Sequence, residues 1–295
     1  MMNEEGMTTS TYAISPAIKL GRLRLLCRWS RFAARSAATG DFDFVLNAWR
    51  ASCRSVACWL HDVRQVVRCN ICGWRGAAFY PNVGPGYYER ATVCPRCLCQ
   101  DRHRALVHIL EETTAFFSPL TDVLEVAPMR SFQKYCLERK DGRGYRSFDY
   151  CRDAMERGDL TRMHYAAQSC DYFVCFHVLE HVAQEAEALR EIWRVLRPGG
   201  TAVLQVPIDW TARTTVEYGA PRPRETGHVR RYGVDFPERV RAYGFDVQPI
   251  SVRDLCDETF IREGGLSPEP IYLAVKPRHA DLTSTSRQDV VLSIS

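Results

Sequence analysis

Residues 171–206 read DYFVCFHVLEHVAQEAEALREIWRVLRPGGTAVLQV, and three patterns follow one another along them. Tyr172, Phe173, Val174, Cys175 and Phe176 form a short apolar run of β type, which predicts a strand over 171–176. Leu179, Val182, Ala186, Leu189, Ile192 and Leu196 then recur at steps of three and four, predicting a helix over 180–196 whose apolar stripe lies on a sheet. Arg197, Pro198, Gly199 and Gly200 stop that helix, and a strand follows at 201–206. Strand, helix and strand in such close succession make a βαβ unit of a parallel sheet.

Working toward the N-terminus, the alternation continues with a strand at 122–126, a helix at 131–139 and a strand at 145–148. The fold class this predicts is α/β, a Rossmann-like sheet with helices on both faces. Before it lies a stretch rich in Cys, Gly and Pro, ending near Cys99 and followed by a helical run through Ala105, Leu106, Ile109 and Leu110. Cys69, Cys72, Cys94 and Cys97 form two C-x2-C pairs separated by 21 residues. Each pair can turn two thiolates onto one tetrahedral Zn²⁺, and two such turns fill all four positions, so the expected ion is structural and its site closed. Gly73 and Pro95 are residues that tight turns favour. Cys99 is a possible substitute ligand. Arg102, His103 and Arg104 follow, either as a contact for an anionic ligand or as a solvated basic helix face.

The chain of 295 residues has room for this module and one larger domain. A hydrophobic content of 46% and a charged content of 25% are those of an ordinary globular protein, and no eighteen apolar residues run together as a transmembrane helix requires. The net charge of +4 is too small to imply nucleic acid. Thirteen cysteines without a secretory apolar core suggest a reducing, cytoplasmic setting, with Cys27, Cys53, Cys58, Cys136, Cys170 and Cys256 as small buried hydrophobes. Residues 6–40 lack Asp and Glu but carry Lys19, Arg22, Arg24, Arg28, Arg31 and Arg35 among apolar residues, a basic helix that could contact a surface or partner or pack on the enzyme. The expected organisation is therefore a basic helical extension over 1–60, a zinc-ribbon-like module over 61–114, an α/β domain over 115–278 and a disordered tail over 279–295.

Five blocks resemble the class I S-adenosylmethionine-dependent methyltransferases: Asp122–Pro128, Ser147–Asp149, Gly158–Leu160, Asp171–His181 and Leu196–Leu204. The resemblance covers roughly residues 115–276, and it is nearest to bacterial members that carry a preceding CxxC module. It implies S-adenosylmethionine (SAM) lying across the carboxyl ends of the strands, in agreement with the rule for open α/β sheets. On that resemblance Glu125 sits beside the loop that approaches the methionine part, with Ala127 and Pro128 in the loop itself. Asp149 accepts both ribose hydroxyl hydrogen bonds, Asp159 and Leu160 edge the adenine, and Phe176 and His177 end the strand 171–176 beside the cofactor. Most members carry Gly-x-Gly where this chain reads Ala127-Pro128-Met129, which is taken as a variant of the loop.

Methyl transfer needs an aligned acceptor, exclusion of water and, for an O–H or N–H acceptor, a base. Asp209, His181 and His228 are the candidates, His228 lying with Arg230 and Tyr232 in a polar stretch that reads as an insertion over the site. A small-molecule acceptor is favoured and RNA is the alternative; an inactive methyltransferase-like, zinc-ribbon binding protein is the third reading. His177-Val-Leu-Glu180-His181 also matches H-x-x-E-H, an inverted zinc-peptidase signature. That chemistry needs the whole motif on a helix, whereas here it leaves a strand.

Overall fold

A computed structural model describes residues 42–60, 65–84, 87–151, 154–222 and 225–278, with Ser30 and Ala34 besides. The basic stretch between Lys19 and Arg35, apart from those two positions, lies outside the described residues, as do Cys27 and the segment 279–295.

Apolar runs bounded by turns become strands β5 (Val123–Val126), β6 (Tyr145–Asp149), β7 (Glu156–Arg157), β8 (Cys170–Phe176), β9 (Leu196–Gln205), β12 (Asp246–Ile250) and β13 (Ile271–Val275). They form one sheet in the order β12-β13-β9-β8-β5-β6-β7. Neighbours from β9 to β7 pair in parallel, and β13 alone runs against them, antiparallel to both β9 and β12. Adjacent residues point to opposite faces. Leu124, Phe173 and Ala202 enter one core with Leu189, Ile192 and Val195 of helix α4 (Glu185–Val195) and with Phe236 and Val240 of α5 (Phe236–Arg241). Val123, Val174 and Val203 enter the other, with Leu106, Ile109 and Leu110 of α2 (Asp101–Thr113) and Phe132 of α3 (Arg130–Arg139). Each buried large apolar side chain contributes roughly 1.5–3 kcal/mol, so the two cores hold the helices on the sheet. The seven-stranded, mostly parallel sheet between two helical layers is the Rossmann-like arrangement expected.

The segment expected as one helix over 180–196 is two elements, a 3₁₀ turn at Leu179–His181 and α4. Val182 between them is extended, φ −95° and ψ 110°. The physical reason is Arg230, which lies on β11 (His228–Arg231) of a hairpin with β10 (Val216–Arg222). Its Nη1 donates to Leu179 O and Val182 O, each at 2.6 Å, and its Nη2 donates to Ala183 O at 3.1 Å. The carbonyls of Val182 and Ala183 accept from a side chain rather than from a helical N–H, and Leu179 O accepts from both Arg230 and Val182 N. Arg230 is 2% exposed and Tyr232 is buried, so the stretch read as a polar insertion is a strand anchored in the core. Residues 197–200 likewise belong to β9 rather than to a turn before it: the pairing jumps from Cys170↔Leu196 to Tyr172↔Thr201, and Gly199 N donates to Lys276 O at 2.7 Å.

The module before the sheet consists of helix α1 (Phe42–Leu60), the pair β1 (Val67–Arg68) and β2 (Arg75–Gly76), and the hairpin β3 (Tyr80–Gly84) and β4 (Tyr87–Val93). Ala48, Ala51 and Cys58 of α1 pack on Tyr80, Val83 and Val93. Helix α2, which follows the cysteines, is part of the sheet's core rather than a solvated basic face, and Arg104 is fully buried. Its guanidinium stacks 3.7 Å from the Phe79 ring centroid and donates to Gly265 O at 2.6 Å, Gly264 O at 2.9 Å and Cys99 O at 3.3 Å. Gly265 ends helix α6 (Glu258–Gly264) at φ 54°, and a Cβ there would lie 2.4 Å from the Phe79 ring, so only glycine admits this contact. Of the cysteines expected to be buried, Cys58, Cys136 and Cys170 are; Cys53 is exposed on α1, and Cys256 is half-buried.

Candidate functional site

The chain order along the sheet reverses between β5 and β8, and open α/β sheets bind ligands outside the carboxyl ends of strands at such a point. Ala127 follows β5 and His177 follows β8; both lie in the left-handed region, at φ 52° and 54°. That conformation costs a non-glycine residue about 1–2 kcal/mol. Each is held there by the neighbouring strand: Ala127 N donates to Phe148 O at 2.8 Å and His177 N to Gln205 O at 2.9 Å. Ala127 therefore keeps the backbone course that a glycine would take, and it is exposed at the crevice.

Asp149 closes β6, is buried, and accepts from Cys151 N at 2.8 Å. Asp159 is exposed, its Oδ1 accepting from Thr161 N at 2.8 Å and Thr161 Oγ1 at 2.7 Å, while Leu160 is buried in the apolar cluster that includes Phe148. Phe176 is half-buried at the end of β8, its ring 6.5 Å from that of the buried His103 on α2. Asp209 accepts from Thr211 N at 2.9 Å and Thr211 Oγ1 at 2.6 Å and pairs with Arg231 at 3.4 Å. The Thr211 hydroxyl and backbone bonds hold its carboxyl below the usual range, which makes it a weak base.

Two further expected residues, His181 and His228, meet beyond β8 with Glu180, which was not expected in a site. The His181 and His228 rings lie 4.8 Å apart, and ligand atoms of Glu180, His181 and His228 all fall within 4.8 Å of one another. Burial keeps His228 neutral to lower pH than usual, which suits a proton acceptor. His177 Nδ1 lies 3.2 Å from Glu180 Oε1.

Glu125 is buried in β5, and the Tyr145 hydroxyl donates to it. Burial pushes its carboxyl up to about 8, against the hydrogen bonds from Tyr145 and the Met129 backbone. An acid whose pKa rises on folding gives stability that is complete below its unfolded value and is lost as pH climbs through the folded one. For Glu125 that window runs from 4.5 to about 8; at ~1.4 kcal/mol per unit the loss is on the order of 5 kcal/mol. Glu125→Gln keeps the shape and an acceptor for Tyr145 but cannot ionise. Denaturant unfolding is expected to show the native protein losing stability across this window and the variant holding it; equal slopes would mean that Glu125 is not the group responsible.

The four spaced cysteines converge as well. Cys69 Sγ lies 3.8 Å from Cys97 Sγ and Cys72 Sγ 3.6 Å from Cys94 Sγ, and all four sulfurs fall within 4.8 Å. The two turns have the same backbone bonds: Gly73 N to Cys69 O and Cys69 N to Trp74 O in one, Leu98 N to Cys94 O and Cys94 N to Cys99 O in the other. Leu98 takes the left-handed place of Gly73, at φ 64° against 71°. Cys99 occupies the position of Trp74, with its Sγ 3.5 Å from that of Cys69. Crowded thiols cannot all ionise: hydrogen bonds from Cys72 and the other thiols drive Cys69 down, and the Cys97 thiol is pushed up by Cys69 and Cys72.

Residues 111–204 match the family model described as "Methyltransferase domain". A curated relative from Mycolicibacterium smegmatis, described as a probable S-adenosylmethionine-dependent methyltransferase, is 31% identical over 100 residues, which cover 34% of this chain and 37% of the relative. The chain thus spans little more than a third of that relative's length. Among solved structures, a SAM-dependent methyltransferase from Archaeoglobus fulgidus is 15% identical over 58% of this chain and 92% of that one, with a TM-score of 0.39. A SAM-dependent methyltransferase from Mesorhizobium loti is 14% identical over 55% and 95%, also at 0.39.

Around the same crevice the structure adds residues that sequence reasoning passed over. Tyr150 is 75% exposed directly after Asp149, and Trp210 is 56% exposed directly after Asp209. Tyr150 directly follows the end of β6 and Trp210 lies in the loop after β9, and for each the adjacent acidic residue was the sequence signal. Gln205 at the end of β9 is buried with its Oε1 lacking a partner, and nothing in the sequence marks it.

Proposed function

We propose that the chain is a SAM-dependent methyltransferase acting on a small-molecule acceptor, stabilised by a structural zinc ion on Cys69, Cys72, Cys94 and Cys97. The observation that carries the first part is the buried acid Asp149 at the end of β6, beside a switch point where Ala127 reproduces a glycine's backbone course. SAM supplies a methyl group already activated on a sulfonium. Asp149 would bind the ribose hydroxyls and Asp159 the adenine amino group, with Leu160 beneath and Tyr150 offering a face to stack on. Ala127 and Pro128 would line the methionine part and Glu125 would sit behind them, while Phe176 and His177 would close the far side.

His228, kept neutral by burial, is placed to take the acceptor's proton, with His181 beside it; Asp209 would hold Thr211 and Arg231 in place. The small acceptor is favoured by the modest net charge of +4, since RNA binding draws on many phosphate contacts. The zinc assignment rests on the four-sulfur donor set and its paired turns. A cytoplasmic setting is proposed from the thirteen cysteines. Among the described residues no helix is long and apolar enough to cross a membrane.

Titration with SAM tests the reading, followed by a screen of acceptors with labelled SAM. Micromolar binding and salt-independent labelling of a small acceptor are expected. No binding of SAM, together with affinity for nucleic acid, would sink it.

A further inference from the structure

Glu180 lies on the 3₁₀ turn that follows β8. It is 1% exposed, yet neither carboxylate oxygen has a hydrogen-bond partner. His177 Nδ1 approaches Oε1 to 3.2 Å, an ion-pair distance when the imidazole is protonated. A buried carboxylate left in this way costs several kcal/mol unless a positive charge compensates it. What faces it are two imidazoles from different parts of the chain, His181 on the same 3₁₀ turn and His228 on β11, all offering ligand atoms within 4.8 Å.

The architecture holds these three together independently of any ion. His228 and Arg230 are two residues apart on a strand and so share a face. Arg230 ties that face to the 3₁₀ turn through the carbonyls of Leu179, Val182 and Ala183, and this brings His228 over Glu180 and His181. Arg230 itself is held by Glu217, its Nε donating at 3.0 Å. His228 makes one exposed contact, Nε2 to Thr226 Oγ1 at 3.0 Å, and His181 is exposed. Nothing in this fastening requires the histidines to be histidines.

We propose that Glu180, His181 and His228 form a second metal site, taking one divalent cation of the transition series such as Mn²⁺, Fe²⁺ or Co²⁺. Two imidazoles and one carboxylate are the donor set of such ions, and three protein ligands leave a six-coordinate cation with three positions for water or substrate. The site is distinct in chemistry from the cysteine cluster, which offers sulfur alone. Its place beyond β8, at the switch point, puts the cation on the acceptor side if the chain transfers methyl groups; in that respect alone the inference rests on the function proposed above. A bound cation would make ligands of the imidazoles that otherwise serve as bases.

The test uses the full chain as purified with its cysteine cluster loaded. Titration with Co²⁺ is expected to show one further equivalent per chain, with weak visible bands and no added near-ultraviolet thiolate band; Mn²⁺ followed by electron paramagnetic resonance should give the same stoichiometry. His181→Ala and His228→Ala, on separate elements and both solvent-accessible, should each weaken this ion at least tenfold, on the scale of about 10–100-fold seen for losses around metal sites. Unchanged thermal unfolding of either variant shows that folding is not the cause. No second equivalent, or equal binding by both variants, overturns the site. SAM titration of the same samples separates the two ideas: SAM binding without a second ion refutes the metal site alone, and a second ion without SAM binding refutes methyl transfer alone.

Discussion

Stripping the metal from the cysteine cluster is expected to unfold more than the module that carries it. The link is Arg104, which spans from Cys99 O to Gly264 O and Gly265 O while stacking on Phe79. Phe79 packs with Cys69, Cys94 and Cys99, whereas α2, which carries Arg104, lies in the core shared with Val123, Val174 and Val203. If the four cysteines lose their ion, the sulfurs reprotonate and nothing bridges them, so the cluster opens, Phe79 leaves the guanidinium, and a buried arginine is left partly unpartnered. Zinc binding to small structural sites is worth about 10–16 kcal/mol in peptides, so even a fraction of it transmitted through Arg104 should lower the melting temperature by on the order of 10 °C. A chelator, and independently Cys72→Ser, should produce this loss in far-ultraviolet dichroism, with release of one zinc per chain measured by a chromogenic chelator. Absence of zinc from the purified chain, or a melting curve indifferent to chelation, would refute the structural role.

The parts of this architecture that were readable in the sequence are those fixed by local rules. Cys69, Cys72, Cys94 and Cys97 converge because each CxxC turn is a self-contained backbone motif, and the strands at 122–126, 145–148 and 171–176 stand because each short run carries buried apolar residues on both of its faces. What escaped depends on partners distant in the chain. The helix expected over 180–196 breaks at Val182 because Arg230, some fifty residues onward, takes its carbonyls, and no periodicity around Val182 announces that. Arg104 looked like a solvated cation because its acceptors, Gly264 and Gly265, lie about 160 residues away. The same applies to the candidate site. Asp149 could be picked from the end of its strand, whereas the meeting of Glu180 and His181 with His228 needed the hairpin that brings β11 back. The H-x-x-E-H pattern was correctly denied a helix, and two of its residues nonetheless converge with a histidine from outside the pattern.

Replacing Asp149 is expected to cost cofactor affinity rather than the rate of the chemical step. A carboxylate at the end of β6 that accepts from two ribose hydroxyls makes charge-assisted bonds worth roughly 1.5–3 kcal/mol each, far from the methyl that moves. Such contacts are made equally in the ground and transition states, so their loss raises KM and leaves kcat near its original value. Asp149→Ala should weaken SAM by about 100-fold or more, at ~1.4 kcal/mol per tenfold. Asp149→Asn keeps an acceptor for Cys151 N and the volume of the side chain but loses the charge, so about tenfold is expected there. The asparagine variant also controls for local folding, because Oδ1 already holds the turn at Cys151. Labelling of an acceptor at low SAM should fall in the same order and recover in the asparagine variant as SAM is raised. A fall in kcat that saturating SAM cannot restore would place Asp149 in the reaction itself, and unaltered affinity in both variants would remove it from the cofactor site.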